Sequence, residues 1–484
     1  MKKRTITFFT LLLASGLFAQ NSEWIHATID VQNAQILKNN HPDKIQILES
    51  SPLVSAVYMS TEAAMELKEY GNVHGPGYIF RANKQAALNA LQFTPQATNN
   101  VLDFTITEDD YVNQCIALVN AENIGNTLVE LENYGTRFHT KPSGVQASLD
   151  IKSNWETMVN NAGRTDISVN FFDHDFTNQK SVIVSIPGSE FPEEIVVLGG
   201  HLDSGDYWIQ NFAPGADDNA SGIATLTETL RILLEMNFHP KRTVQIMGYA
   251  AEEVGLYGSA DIAENYSLND KNVLAVMQLD MTNYKGSTFD IGLNNDTQYI
   301  STELNLFIID LIEHYNSTGE HAITYGMTQC GYACSDHVSW TENGYLASFP
   351  MEAAFEDSNP FIHTTGDTYA NMGSTAVHST KFVKLALEFA IEIAKIESLA
   401  STHDVEVSDL FSAVNDRNLI YQWNSPSTKL ESITVFDTGA RKLIHQKIRN
   451  SQGNISLQGL PNGFYIAIFK DANGKAYSKK FLIK

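Results

Sequence analysis

An α/β fold is predicted for the middle of this 484-residue chain: a mixed, largely parallel sheet sandwiched by helices. An α+β segment precedes it and a small C-terminal β-sandwich follows. Three observations predict this. Short apolar runs, IVVLGG before His201, TVQIMGYAA before Glu252 and VLAVMQL before Asp280, have the length and composition of buried strands. Helix-like stretches alternate with them, as in a sheet covered on both faces. From about Thr402 the texture changes to short strands with Gly and Asn turns, including ITVFDTG, LIHQKI and NISLQGLPNGFYIAIFK. A chain of this length exceeds one core, and four parts are expected: 1–20, 21–105, 106–400 and 401–484.

The first part reads as a secretory leader. Lys2, Lys3 and Arg4 precede an apolar stretch from Ile6 to about Leu17, with small or uncharged residues near Ala19 and Gln20. The stretch is short for a membrane span, and nothing later reaches the required length either. In 21–105, strand-like EWIHATID, DKIQILES and LVSAVYMS alternate with helix-like STEAAMELKEYG, where Ser60 marks a helix start. Polar FTPQATNN, residues 93–100, reads as a linker. The third part opens with a helical section from Glu108 to about Tyr134, whose Val112, Cys115, Ile116 and Val119 form an apolar stripe. Further helices are expected over Ser143–Asn161, Ser221–Met236, Thr302–His314 and Lys381–Ile396.

Acidic and histidine residues stand at the ends of these expected strands, where open α/β sheets gather their ligands. They are His201 and Asp203 in GGHLDS, Asp217 in PGADDNASG, Glu252 and Glu253 in YAAEEVGLYGS, Asp280 in QLDMTNY and His363 in IHTTGDT. Two imidazoles, three carboxylates and one spare carboxylate suit a pair of zinc ions, which need nitrogen and oxygen ligands and a shared bridge. Asp217 is assigned the bridge, His201 and Asp280 one metal, Glu253 and His363 the other. Glu252, adjacent to a ligand, is placed to act as general base. Asp203 is placed to accept the second N–H of His201 and fix its tautomer. An HxD triplet or an EE pair alone is usually a solvated surface feature, and the acidic pair in GADDNASG could merely cap a helix. Their joint order at strand ends argues for the metal site.

The same segments resemble the co-catalytic zinc aminopeptidase family of secreted bacterial leucyl aminopeptidases. The likeness spans roughly residues 110–395 and rests on PGADDNASGIATLTE, AAEEVGLYGS, LDMTNYKGS, TYGMTQCGYACSDHVSW and NPFIHTTGDT. It implies a zinc exopeptidase fold and a metallo-aminopeptidase acting on peptides with a free N-terminus. The family's ligands fall on His201, Asp217, Glu253, Asp280 and His363, and its base on Glu252. It also implies oxyanion stabilisation by Tyr332 and a cis peptide between Asp217 and Asp218. A pocket for the first side chain would be lined by Met281, Phe349, Met351, Phe355 and Ile362, favouring Leu, Met and Phe. Ser358 would widen it. Residues 21–105 occupy the place of a propeptide that folds the enzyme or keeps it inactive. An accessory domain retained in the mature enzyme is the alternative. Cys330 and Cys334 could be buried thiols, a metal site or a disulfide, and the resemblance favours the disulfide. Cys115 is left as a buried apolar side chain.

The ending GLPNGFYIAIFKDANGKAYSKKFLIK is similar to the sorting domains of the type IX secretion route, a carbohydrate- or protein-binding β module being the alternative. Arg441–Lys484 carries a net charge of +8, which leaves about −32 on the rest of a chain of net −24. So acidic a body argues against nucleic-acid binding, which wants a basic stripe. The protein is expected to be a monomer that meets secretion machinery through its C-terminal domain. Glutaminyl cyclases share the fold with one zinc, and His201 with Asp217 argues against them. Carboxypeptidase-like relatives commonly insert a dimerisation domain, for which the interval from Asp280 to His363 has no room. Non-catalytic members lose ligands or the base, and here all are present.

Overall fold

The computed structural model describes residues 24–67, 74–92, 104–205, 209–397, 410–415, 417–423, 429–437, 441–472 and 476–483. The expected leader and the polar stretch 93–100 lie outside the described residues. Within the body, six strands order as Ala347–Ser348, Asn272–Gln278, Phe191–His201, Arg242–Tyr249, Ser181–Ile186 and Ser168–Phe172. The first four run parallel and each of the last two pairs antiparallel with the strand before it in this order, so the sheet is mixed.

The period of two along a strand decides which side chain faces which helical layer. Val196 and Leu198 join Val244, Ile246, Ala275 and Met277 on one face. The intervening Ile195 and Val197 join Met247, Val273 and Val276 on the other. Helices Gly222–Glu235 and Ser379–Ala394 cover the first face with Leu226, Leu230, Phe382 and Phe389. Helices Tyr257–Leu268 and His337–Glu342 cover the second with Ile262, Ala263, Tyr266 and Trp340. Both faces are therefore dry, as uninterrupted apolar strand sequences require.

The helical section expected from Glu108 to Tyr134 is two helices, Asp109–Ile116 and Ala121–Glu132. Asn120 starts the second by accepting the Glu122 N–H at 2.8 Å, a cap that the apolar stripe conceals. Cys115 is buried on the first. Register along the parallel strands sets His201 beside Tyr249 and Gly199 beside Gln278. Three strands thus end at one edge, and the candidate residues sit just past it.

The described residues among 24–92 include a four-stranded antiparallel sheet, ordered Ile45–Ser50, Val54–Ser60, Trp24–Asp30 and Ile79–Arg81. Ser60 caps its following helix, accepting from Ala63 N at 3.1 Å. This sheet has its own core, including Ile25, Leu37, Val57 and Met59. It belongs to the same compact unit as the body, ending at Glu397. The Phe80 N–H donates to Gly255 O at 3.0 Å, and Arg81 pairs with Glu342 at 2.6 Å.

The C-terminal part is a separate unit of a three-stranded and a four-stranded sheet. Leu419, Tyr421 and Ile455 from one and Ile433, Val435 and Phe469 from the other share a core, which makes it a sandwich. Among the described residues no helix is long and apolar enough to cross a membrane.

Candidate metal centre and active site

Two groups of potential ligand atoms converge beyond the strand ends: His201, Asp218 and Asp280, and Asp218, Glu253 and His363. His201 Nε2 lies 3.0 Å from Asp218 Oδ1 and 3.3 Å from Asp280 Oδ1. His363 Nε2 lies 3.0 Å from Asp218 Oδ2 and 3.0 Å from Glu253 Oε2. Asp218 therefore offers one oxygen to each group. The sequence reading put Asp217 in this position, and the structure corrects it by one residue. Adjacent side chains leave the backbone in different directions, and Asp217 is turned away. Its Oδ1 accepts from Asn283 N at 3.0 Å and its Oδ2 from Asn359 Nδ2 at 3.1 Å. The cis peptide is likewise displaced, lying between Asp218 and Asn219 rather than between Asp217 and Asp218.

The donor set fits divalent zinc: imidazole nitrogens and carboxylate oxygens, two residues in each group plus the shared Asp218. His201 Nε2 and Asp280 Oδ1 are buried and approach charged atoms, yet neither has a hydrogen-bond partner. Buried polar atoms rarely stay so, and atoms that converge without bonding one another suit a shared cation. Burial opposes protonation of His201, but Asp280, Glu252, Asp203 and Asp218 outweigh it and hold its pKa well above the usual value. Burial similarly works to raise Asp218, and His201 and His363 overcome it, so its carboxyl stays ionised.

Glu252 is buried, with Oε2 4.0 Å from His201 Nε2. Burial, reinforced by Asp336, Asp280 and Glu253 and opposed by His201, raises its pKa well above that of a free glutamate. The Glu252–Glu253 pair is held by Asp203, whose oxygens accept both backbone N–H groups at 3.0 and 3.2 Å. Asp203 also approaches His201 Nδ1 at 3.5 Å, too long for a good hydrogen bond. Its clearest contact is thus with the backbone of the glutamates rather than with the histidine ring expected from HxD spacing.

Several supporting residues escaped the sequence reading. Asp367 accepts from Asp217 N at 3.1 Å and Asp218 N at 3.0 Å, pinning the acidic turn. It stands in the GDT that follows His363, so the quoted motif held the signal. Arg137 is buried and donates to Leu202 O at 3.0 Å, Pro214 O at 2.6 Å and Gly215 O at 2.8 Å. It ties the His201 strand end to the Asp218 turn, and its lone position in YGTRFHT gave no hint. Glu352, between the pocket candidates, accepts from Tyr284 N at 2.6 Å and Asn359 N at 3.0 Å. Ser335 donates to Asp280 Oδ2 at 2.6 Å.

Of the expected pocket residues, Phe349, Met351 and Phe355 come together with Ile300, Cys330, Tyr332 and Cys334. Met281 is buried outside that cluster, and the half-buried Ile362 also lies outside it. Ser358 Oγ is turned onto Ala354 O at 3.3 Å. The Cys330 and Cys334 sulfurs are at bonding distance, 2.02 Å. Close backbone approach at the strand ends also constrains Gly200, where an added Cβ would lie 2.6 Å from Leu279 O. We expect Gly200→Ala to cost about 1–3 kcal/mol in thermal unfolding. Its metal content should fall with it, because the neighbours forced apart, residues 201 and 280, sit in one group.

Comparison with known proteins accords with this geometry. Residues 181–388 match the model of Peptidase family M28. Leucine aminopeptidase 1 of Paracoccidioides brasiliensis, strain Pb03, is 33% identical over 315 residues, covering 63% of this chain and 78% of that protein. The chain belongs to peptidase family M28. Its structure is similar to the Legionella pneumophila LapA aminopeptidase, at 29% identity and a TM-score of 0.66, over 77% of this chain and 99% of that one. LapB from the same organism matches at 26% identity and a TM-score of 0.66, over 77% and 100%. This M28 peptidase is a metallo-aminopeptidase, a hydrolase of peptide bonds. Residues 416–484 match the secretion system C-terminal sorting domain.

Proposed function

We propose that this M28 peptidase is a secreted dizinc aminopeptidase that removes large apolar N-terminal residues, Leu foremost. The observation that supports two ions is Asp218, with one carboxylate oxygen in each ligand group. His201 and Asp280 would complete one site, Glu253 and His363 the other. Zinc bound there would supply polarisation of the peptide carbonyl and a water acidified toward neutral pH. Glu252 would take a proton from the attacking water and return it to the departing amine. The Tyr332 hydroxyl donates to the developing oxyanion. Phe349, Met351 and Phe355 receive the first side chain; pockets of this kind separate apolar groups by only about 1–3 kcal/mol per methylene, so the preference is broad.

The C-terminal domain would direct the protein through type IX secretion, following a leader at 1–20, to the cell surface or beyond. Residues 21–105 would serve as its propeptide. The decisive assay compares leucine p-nitroanilide with its N-acetylated form. Only the free amine should be hydrolysed, a chelator should abolish turnover, and two equivalents of zinc should restore it. Chelator-resistant hydrolysis, or equal cleavage of the acetylated compound, would overturn this reading.

A further inference from the structure

The Glu252 carboxylate is not aimed by strong contacts of its own. Its Oε1 is buried without a hydrogen-bond partner, and its Oε2 stands 4.0 Å from His201 Nε2, beyond hydrogen-bonding reach. Its direction is therefore set by the backbone that carries it, just past the strand Arg242–Tyr249. There the sheet ladder has ended, and four successive backbone N–H groups pass to side-chain acceptors. Ala250 N donates to Ser181 Oγ at 2.9 Å and Ala251 N to Gln179 Oε1 at 3.1 Å. Glu252 N and Glu253 N donate to the two oxygens of Asp203. Ala251 is held at φ 54°, a left-handed conformation that an alanine adopts only when its surroundings impose it.

The first of these acceptors stands on a relay. Ser181 opens the strand Ser181–Ile186, is buried, and has its Oγ 2.7 Å from His174 Nε2. His174 Nδ1 lies 2.8 Å from Asp261 Oδ2. An ionised carboxylate only accepts, so Nδ1 carries the proton and the neutral ring turns a lone pair at Nε2 toward Ser181. The serine hydroxyl donates into that lone pair, and its oxygen is left to accept from Ala250. Asp261 lies on the helix Tyr257–Leu268, whose Gly258 N–H returns to Ala250 O at 2.9 Å. These three residue types form a nucleophilic triad where the serine is open to substrate. Here Ser181 is fully enclosed and its oxygen is engaged on two sides, so it supports rather than attacks.

We infer that the Asp261–His174–Ser181 relay positions the base: it fixes Ala250, two residues before Glu252, and through that backbone the reach of the carboxylate to the attacking water. The inference rests on the reading of Glu252 as general base. Ser181, His174 and Asp261 are positioning residues, since none touches the reacting atoms and none belongs to a ligand group. Their contribution falls on kcat, because the substrate and the metals are held by other side chains. A reacting group displaced by about 1 Å loses on the order of 10²-fold in rate, so a small shift of this turn is enough to be read.

The test is a double-mutant cycle between Ser181→Ala and Glu252→Gln in the full chain loaded with zinc. Ser181→Ala is expected to lower kcat for leucine p-nitroanilide about 10–100-fold, with KM nearly unchanged and zinc content by atomic absorption that of wild type. In the Glu252→Gln background the same change should lower kcat no further, because the group it aims is already gone. Equal losses in the two backgrounds, or an undiminished kcat in Ser181→Ala, would overturn the relay and leave the base assignment intact. A fall in zinc in step with activity would also overturn it, making Ser181 a support of the neighbouring ligand Glu253. Glu252→Gln as active as wild type would refute the base assignment and the relay with it. If Ser181→Ala fails to fold, Asp261→Ala at the partly exposed end of the relay takes its place in the cycle. That variant frees the His174 ring to turn, and a loss of about 2–10-fold in kcat, absent in the Glu252→Gln background, is expected on the same criteria.

Discussion

Glu252→Gln is expected to lower kcat for leucine p-nitroanilide by about 10²–10⁴-fold while the protein keeps its zinc. The amide preserves size and shape but cannot take a proton from water or hand one to the leaving amine. Metal content should hold because Glu252 belongs to neither ligand group. The backbone should hold too, since Asp203 grips residue 252 through its N–H rather than its side chain. KM should change little, because the lost interaction is made in the transition state. Loss of zinc in step with activity would reassign Glu252 as a ligand.

That experiment turns on a residue whose place could be read from the sequence. The parallel strands were legible because IVVLGG, TVQIMGYAA and VLAVMQL are apolar on both faces, which only a doubly covered sheet explains. The residues after them followed, since such sheets expose their functional groups beyond the strand ends. The acidic turn was harder. Two consecutive aspartates carry identical chemistry, and only the backbone path through Gly215, at φ 56°, and Asp218, at ψ 91°, decides which one faces the histidines. Arg137 was invisible for another reason. Its value lies in four carbonyls, Leu131, Leu202, Pro214 and Gly215, that residue types do not encode.

Asp218 and Asp217 are expected to behave oppositely under the same substitution. Asp218→Asn replaces a carboxylate that serves His201 and His363 through separate oxygens with an amide that has one. It also removes a negative charge from between two histidines. The zinc content should fall from two equivalents to one or fewer, and hydrolysis should fall to the blank. Asp217→Asn leaves both groups chemically whole. Its side chain accepts from Asn283 N and Asn359 Nδ2, and a single amide oxygen can keep one of these contacts. The other is lost in a buried setting, which costs on the order of 1–3 kcal/mol of stability. Asp217 stands behind the ligands, so metal affinity should weaken by no more than about 10–100-fold. Atomic absorption on the two dialysed proteins separates the cases. Two zinc ions retained by Asp218→Asn, or lost from Asp217→Asn, would return the bridging role to residue 217.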